Sequence, residues 1–332
     1  MQFGRGKPSA GAFFDSDFSN LDSILAVAVL YGMQGKNDCR MAMISTTRPD
    51  LATVGYVDAV ERYYHGPGRN FAQVPPVAMR TEGKAGVTPK AFLAPFDKKK
   101  PDGTAVYTNQ VKSVLDTADP NTMFRNYLQA QYAQNGFFVL AGPGTNLANL
   151  LEFRGAKELI TAKIKYLVIA QASGDVAAMR KVLADWPTSI VSVGPEIGAA
   201  IEFPGASIDK EFLAANPDNP VADAYRAWDP KLGNTPAVAT AAALYAGRPK
   251  EGYFKLSDPG TLTMRDDGKI EFNAGANGRH QYLSVDPAQT EKVAKTFVEL
   301  ASAKPVIRLR FRPDAAMEEK KDDKEEKKDE KP

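Results

Sequence analysis

The residues best suited to chemistry lie close together near the amino end: Asp15, Asp17 and Asp22, within FFDSDFSNLDSILAVAVLYG, residues 13–32. Two apolar residues run into the first carboxylate, and an apolar, helix-like stretch from Ile24 to Leu30 follows the last. That is the pattern of a strand ending in an acidic loop that opens a helix. In an open α/β sheet, ligands bind outside the carboxyl ends of the strands, so carboxylates there are placed for chemistry. A hard cation would hold three of them together, since Ca²⁺ takes about six to eight oxygen ligands, carboxylates and backbone carbonyls among them. The same residues also suit plainer roles, Asp22 as a helix cap and Asp15 and Asp17 as solvated loop residues.

Such a loop needs a sheet to position it, and strand-like and helix-like segments alternate along the chain. Residues 41–46 (MAMIST) alternate and end at a turn, and residues 51–64 follow with helical spacing of Val54, Val57, Ala59 and Val60. A helix over 122–134 leads into a buried strand at 137–141, a turn at 142–144 and a helix opened by Thr145. Residues 166–170 form another buried strand, and 175–186 a helix capped by Asp175. A strand, a Gly-punctuated turn and a short helix follow within 189–205. The next helix is expected over 234–247, capped by Asn234 or Thr235, with Pro236 in its first turn and a small-residue face from Ala237 to Ala243. This alternation points to a mostly parallel open sheet flanked by helices, a Rossmann-like α/β core.

Residues 252–285 alternate around Asp266, Asp267 and Gly268, the signal of a carboxyl-terminal β-hairpin. A last helix is expected over 287–303 and an edge strand over 306–311. From Glu318 onward the chain is almost wholly Glu, Asp and Lys, which cannot offset the entropy of ordering. The expected plan is one domain over 1–312 and a disordered charged tail over 313–332. Residues 81–119 are the least regular, the mark of a lid or mobile surface loop, with Lys98 to Lys100 as a solvated turn.

The chain of 332 residues, 43% hydrophobic and 25% charged, is long enough for a large core. A formal net charge of +2, with no basic stripe and no aromatics set among Lys and Arg, argues against nucleic acid as a partner. The single cysteine, Cys39, excludes an internal disulfide or a thiolate zinc site, and its setting suits a small packing residue. Two histidines supply a zinc site or a Ser-His-Asp triad poorly. His65 reads as a polar cap at a helix carboxyl end, and His280 as a structural residue of the hairpin. No apolar run approaches the roughly 18 residues of a membrane span, and no apolar segment of signal-peptide length precedes Asp15. A cytoplasmic location is expected, or an exported form if an amino-terminal signal has been removed.

Two stretches carry a resemblance to a known family. D-S-D-F-S-N-L-D, Asp15 to Asp22, is similar to the D-x-D-P-G-x-D-D signature of the inosine/uridine-preferring nucleoside hydrolases, and G-P-G-T-N-L-A, Gly142 to Ala148, resembles that family's G-P-L-T-N-L-A. Shorter similarities to a bacterial branch occur at 56–70, at 189–205 and at the Gly278-Arg279-His280 hairpin. The resemblance implies that Ca²⁺ is held by Asp17, Asp22 and the backbone carbonyl of Thr145, and that the metal activates the water that cleaves an N-ribosidic bond. Asp17 accepts the proton in that scheme, while Asp15, Asn20, Gln171 and Glu196 support the site or contact substrate.

This sequence departs from the family at several of those positions. Leu21 stands for one Asp of the DD pair, and Phe18-Ser19 for Pro-Gly. The loop carrying an Asn that contacts the sugar is shortened to residues 171–174, with Gln171 the nearest polar substitute. The late Asp ligand aligns with Thr235 or Ala239, leaving Asp229 as the nearby acid if its loop folds back. Fewer anionic ligands weaken Ca²⁺ binding.

Two principal functions are therefore weighed. One is hydrolysis of a ribonucleoside-type N-glycosidic bond by a calcium-activated water. The other is a pseudoenzyme that binds a ribosyl ligand or a partner without turnover. A related sugar hydrolase with a different substrate is a third. The implied partner is a small-molecule nucleoside or related glycoside, without membrane or nucleic acid; homo-oligomerisation is left open.

Overall fold

The computed structural model describes residues 8–66, 76–83, 87–170 and 174–303. The first part of the chain carries β1 (Ala10–Ser16), α1 (Leu21–Gly35), β2 (Cys39–Thr46), α2 (Leu51–His65), β3 (Ala78–Met79), α3 (Lys90–Leu93), α4 (Pro120–Ala130) and β4 (Gly136–Ala141). The middle continues through α5 (Thr145–Glu152), α6 (Ala156–Lys163), β5 (Ile164–Ala170), α7 (Val176–Asp185), β6 (Ser189–Val193), α8 (Pro195–Ala200), β7 (Glu202–Phe203), α9 (Pro220–Trp228), β8 (Thr235–Pro236) and α10 (Val238–Gly247). The last part holds β9 (Lys255–Leu256), β10 (Gly260–Met264), β11 (Ile270–Ala274), β12 (His280–Ser284) and α11 (Thr290–Ala301).

Among the described residues, ten strands form one sheet in the order β11-β10-β12-β6-β5-β4-β1-β2-β3, with β9 added on β12. From β3 to β12 the neighbours run parallel, and β9, β10 and β11 pair antiparallel. The expected mostly parallel α/β sheet with a carboxyl-terminal hairpin is the fold observed. No helix among the described residues is long and apolar enough to cross a membrane.

Side-chain alternation explains why both faces are covered. On β1, Phe13 stacks on Phe138 at 4.7 Å within the core beneath α4 to α7, whereas Phe14 meets Phe18 at 5.9 Å in the core beneath α1, α10 and α11. The run from Ile24 to Leu30 has no polar face, and every residue in it is fully buried. A helix that is apolar all round must be enclosed all round; α1 packs against the sheet, α10 and α11. Gly32 makes the closest approach possible, because a Cβ there would fall 2.0 Å from the Leu300 carbonyl oxygen.

Three elements differ from the sequence expectation. The helix expected over 234–247 starts at Val238, because Thr235 and Pro236 are drawn into a two-residue ribbon with Phe203 and Glu202. The helix expected over 122–134 spans Pro120–Ala130: Asp119 caps it, and Gln134 has turned left-handed at φ 48°. The segment expected as a lid or mobile loop is described over 81–83 and 87–119; it is anchored on the body around Phe92 and Lys98, while Leu115 stays 93% exposed. Phe92 is fully buried and stacks on Tyr56 at 4.7 Å, and Lys98 bonds the Pro217 carbonyl and Asp223. The expected edge strand over 306–311, the charged tail over 313–332 and Gln171 lie outside the described residues.

Cys39 is buried, as a packing residue should be; its thiol donates to the Leu30 carbonyl, and burial pushes its pKa up to about 12. His65 closes α2, with Nδ1 2.9 Å from the Glu61 carbonyl.

Candidate functional site at the carboxyl edge of the sheet

Ser16 and Ala141 end β1 and β4 at the same level of the parallel pair, so the loops that follow emerge side by side. Ser16 Oγ donates to the Ala141 carbonyl at 2.9 Å and accepts the Phe18 N–H at 3.0 Å. Gly142 lies so close that a Cβ would sit 2.9 Å from the Asp17 backbone nitrogen. The two motif-bearing loops therefore converge. Gly144 holds a left-handed conformation (φ 77°) immediately before α5, which accounts for glycine at that position.

Asp15 is the most sequestered group of the site, with no exposed surface. Its Oδ1 accepts Ser45 Oγ at 2.5 Å and Asn146 Nδ2 at 2.8 Å, while Oδ2 is buried with no partner among the described residues. Burial raises its pKa to about 7, against the pull of the Ser45 and Asn146 hydrogen bonds, and the neighbouring Asp17 charge adds to the rise. Asp17, just past β1, is half-buried and accepts the Ser19 N–H at 3.1 Å. Asn20 caps α1 by accepting the Ser23 N–H at 3.1 Å. Phe18, where the resembled motif has Pro, is fully buried in the left-handed region at φ 49°.

Asp22 is bonded to the start of α10. Its Oδ2 accepts the Ala239 N–H at 2.6 Å; its Oδ1 accepts the Thr240 N–H at 3.0 Å and the Thr240 hydroxyl at 2.6 Å. Ala237, which precedes α10, supplies no side-chain cap, so Asp22 caps that helix from a distant part of the chain. Burial raises the Asp22 pKa, while the bonds from Thr240, Ala239 and Val238 oppose the rise. The positive end of the α10 dipole favours the carboxylate in the same sense.

Thr145 opens α5, and its hydroxyl donates to Asp175 Oδ2 at 3.0 Å. Asp175 also caps α7 through the Ala178 N–H, so the starts of α5 and α7 are tied together. Asp229 sits at the end of α9, where its two oxygens accept the Lys231 and Gly233 N–H groups at 2.9 and 2.8 Å and close their own turn. Glu196 is exposed in the first turn of α8, beside a cleft of about 600 Å³ lined also by Lys269, Phe272 and Tyr282. The structure thus gathers Asp15, Asp17 and Thr145, turns Asp22 to α10, and leaves Asp229 and Glu196 in settings of their own.

These donors do not match a calcium shell. Such a shell draws on several carboxylates with free lone pairs, yet three of the roughly four acceptor positions of Asp22 are taken by α10. Among the described residues, no group of three or more His, Cys, Asp or Glu side chains is placed to share an ion.

Sequence reasoning missed Ser45, Asn146 and Thr240, and took Ala239 only as a position aligned with the late Asp, not as a backbone donor to Asp22. The first two had a signal: Ser45 is a polar residue near the end of an apolar strand, and Asn146 stands inside the T-N-L-A motif. Thr240 is the one hydroxyl in the otherwise apolar run from Ala237 to Leu244.

Fold and site together define an α/β protein with a buried polar cluster at the carboxyl edge of a mostly parallel sheet. No protein-family model matches the chain, and no curated protein matches it. Solved structures do match. A purine-preferring ribonucleoside hydrolase from Gardnerella vaginalis is 14% identical with a TM-score of 0.62, over 88% of this chain and 99% of that one. An inosine-uridine preferring nucleoside hydrolase from Bacillus anthracis is 14% identical with a TM-score of 0.60, over 88% and 99%. The type III effector protein XopQ, solved in complex with adenosine diphosphate ribose, is 12% identical with a TM-score of 0.58, over 91% and 94%. The chain has the nucleoside hydrolase fold.

Proposed function

We propose that this protein binds a ribosyl ligand at the carboxyl edge of β1 and β4 and does not turn it over by calcium-dependent hydrolysis. The observation that carries this reading is the Asp22 carboxylate, both of whose oxygens are engaged by the first turn of α10. The resemblance would have Asp22 and a late Asp face one cation; here Ala239 offers a backbone N–H to Asp22 instead. A helix cap stands where the resemblance implies an ionic contact.

The binding half of the proposal draws on what remains. Asp17 is half-buried and accepts a single backbone N–H, beside the fully buried Asp15, and sugar hydroxyls are donors that suit its remaining acceptor positions. A protein of the same fold has been solved with adenosine diphosphate ribose, a molecule that presents such hydroxyls. Hydrolysis by a calcium-activated water, with Asp17 as base, is the competing reading.

One set of measurements separates them. Calcium titrated calorimetrically into the full chain gives no saturable heat, p-nitrophenyl riboside in calcium buffer is cleaved no faster than the blank, and adenosine diphosphate ribose raises Tm. Calcium-dependent cleavage that Asp17→Ala abolishes would restore the hydrolase reading. No thermal shift with either adenosine diphosphate ribose or ribose would remove the binding reading.

A further inference from the structure

The Gly278-Arg279-His280 run takes no part in the site above. It helps to build a separate cleft of about 700 Å³ between α7 and the hairpin, lined by Arg180, Thr261, Thr263, Asn277, Arg279 and His280 among others. His280 begins β12 and pairs with Ile190, near the amino end of β6. Asp15 and Asp17 lie at the opposite end of the parallel strands, so the two sites share no residue.

Every polar side chain named there can donate a hydrogen bond, and among the described residues lining the cleft there is no Asp or Glu. His280 is the informative one. It is 4% exposed, and its Nδ1 accepts the Leu262 N–H at 3.0 Å. The ring proton therefore resides on Nε2, and that buried N–H has no acceptor among the described residues. Buried donors without partners are rare enough that each asks for an explanation, a bound acceptor being one.

Two guanidinium groups flank the same cleft. Arg279 is exposed, and its Nη1 reaches the Pro187 carbonyl only at 3.5 Å. Arg180 donates Nε to the Met264 carbonyl at 3.2 Å and pairs through Nη2 with Asp266, whose side chain is 97% exposed. An exposed pair of that kind is weak and exchangeable. Gly278 makes the arrangement possible: a Cβ there would fall 2.1 Å from the Gly260 carbonyl oxygen, so only glycine lets the 275–278 turn lie on the start of β10.

We propose that this cleft binds the phosphate group of a phosphomonoester, with Arg180 and Arg279 pairing with its charged oxygens and the His280 Nε2–H donating to another. Two guanidinium charges match a phosphomonoester dianion, and the planar fork of arginine suits its oxygens. A neutral imidazole N–H adds a donor at the apolar floor. The proposal stands apart from the ribosyl reading.

The test is calorimetric titration of the full chain with inorganic phosphate, and separately with acetate, at constant ionic strength. Phosphate saturates; Arg279→Ala and Arg180→Ala each weaken it tenfold or more, and Arg226→Ala, remote from the cleft, leaves it unchanged. Both cleft arginines project to the surface, so these variants keep the fold. In ¹H–¹⁵N spectra the His280 Nε2–H resonance moves as phosphate is added. Phosphate that does not saturate, phosphate bound equally well by both cleft variants, or acetate bound as tightly as phosphate would each overturn the assignment. None of those results bears on ribosyl binding at Asp15 and Asp17.

Discussion

The Asp22 carboxylate in the first turn of α1 accepts the Ala239 N–H at 2.6 Å, joining positions 217 residues apart in the chain. This bond and its companions at Thr240 cap a helix whose own preceding residue offers no cap, and they occupy a carboxylate that the loop motif alone would assign to a metal. Two apolar helices, α1 and α10, are thereby joined at one end by buried polar bonds as well as by packing.

Asp22→Ala removes the cap and strands the N–H groups of Ala239 and Thr240 in the core. Losing a cap costs about 0.5–2 kcal/mol and an unsatisfied buried donor about 1–3 kcal/mol. Urea denaturation should therefore show the variant less stable by roughly 2–4 kcal/mol. A loss under about 0.5 kcal/mol would mean that solvent reaches the α10 terminus.

Ala239→Asp places a second carboxylate opposite Asp22 at a position only 5% exposed. Like charges in a buried site disfavour the folded state, so the variant should melt below the parent in EDTA. Millimolar calcium should recover much of that loss, because a cation then has two facing carboxylates to bind. The parent protein should melt at the same temperature with and without calcium.

Asp15 gives a pH signature. Its pKa is 3.8 when solvated and about 7 in the fold, so between those values the native state holds more protons than the unfolded one. Stability therefore falls as pH rises from about 4 to about 7 and levels off above, by up to roughly 4 kcal/mol. Asp15→Asn keeps an acceptor for Ser45 and Asn146 and carries no charge. Its stability relative to the parent should rise across that window, as denaturant midpoints measured from pH 4 to pH 8 would show.

Glu61 provides an independent contribution on α2. It is buried, accepts the Tyr31 hydroxyl at 2.8 Å, and leaves Oε2 without a partner among the described residues. Burial raises its pKa to about 8. Charging it costs stability as pH rises from about 4.5 toward 8, by the same sign argument. Glu61→Gln should stabilise the protein at pH 8 and 9 and change little at pH 4, and adding Asp15→Asn should give a nearly additive gain, the two groups lying on different elements.

Gly142→Ala tests the junction of the two loops. The new methyl would meet backbone atoms of Ser16 and Asp17, at 3.2 and 2.9 Å, that cannot swing aside. Overpacking of this kind costs about 1–3 kcal/mol, and the displaced Asp17 loop should weaken the thermal shift given by adenosine diphosphate ribose. A variant with unchanged stability and unchanged ligand shift would show that the loops need not touch.

Short-range physics made most of the fold legible in the sequence. The alternation of Phe13 and Phe14 across β1, the uninterrupted apolar run of α1 and the Asp-Asp-Gly turn at 266–268 each have a local cause, so strand, buried helix and hairpin follow from neighbours in the chain. The two loops Asp15–Asn20 and Gly142–Thr145 leave from the same edge because every loop that follows a strand of a parallel sheet does so, and they meet because β1 and β4 are neighbours in the sheet. Tertiary structure alone decided where each carboxylate points. Asp22 has the spacing of a metal ligand, yet the nearest strong donors in the folded chain are the unpaired N–H groups at the start of α10, brought there by packing between segments more than two hundred residues apart. The start of α10 moved for a similar reason, when β7 recruited Thr235 and Pro236. Hydrophobic periodicity specifies which residues are buried, whereas a polar group removed from water binds whatever partner the completed core sets beside it.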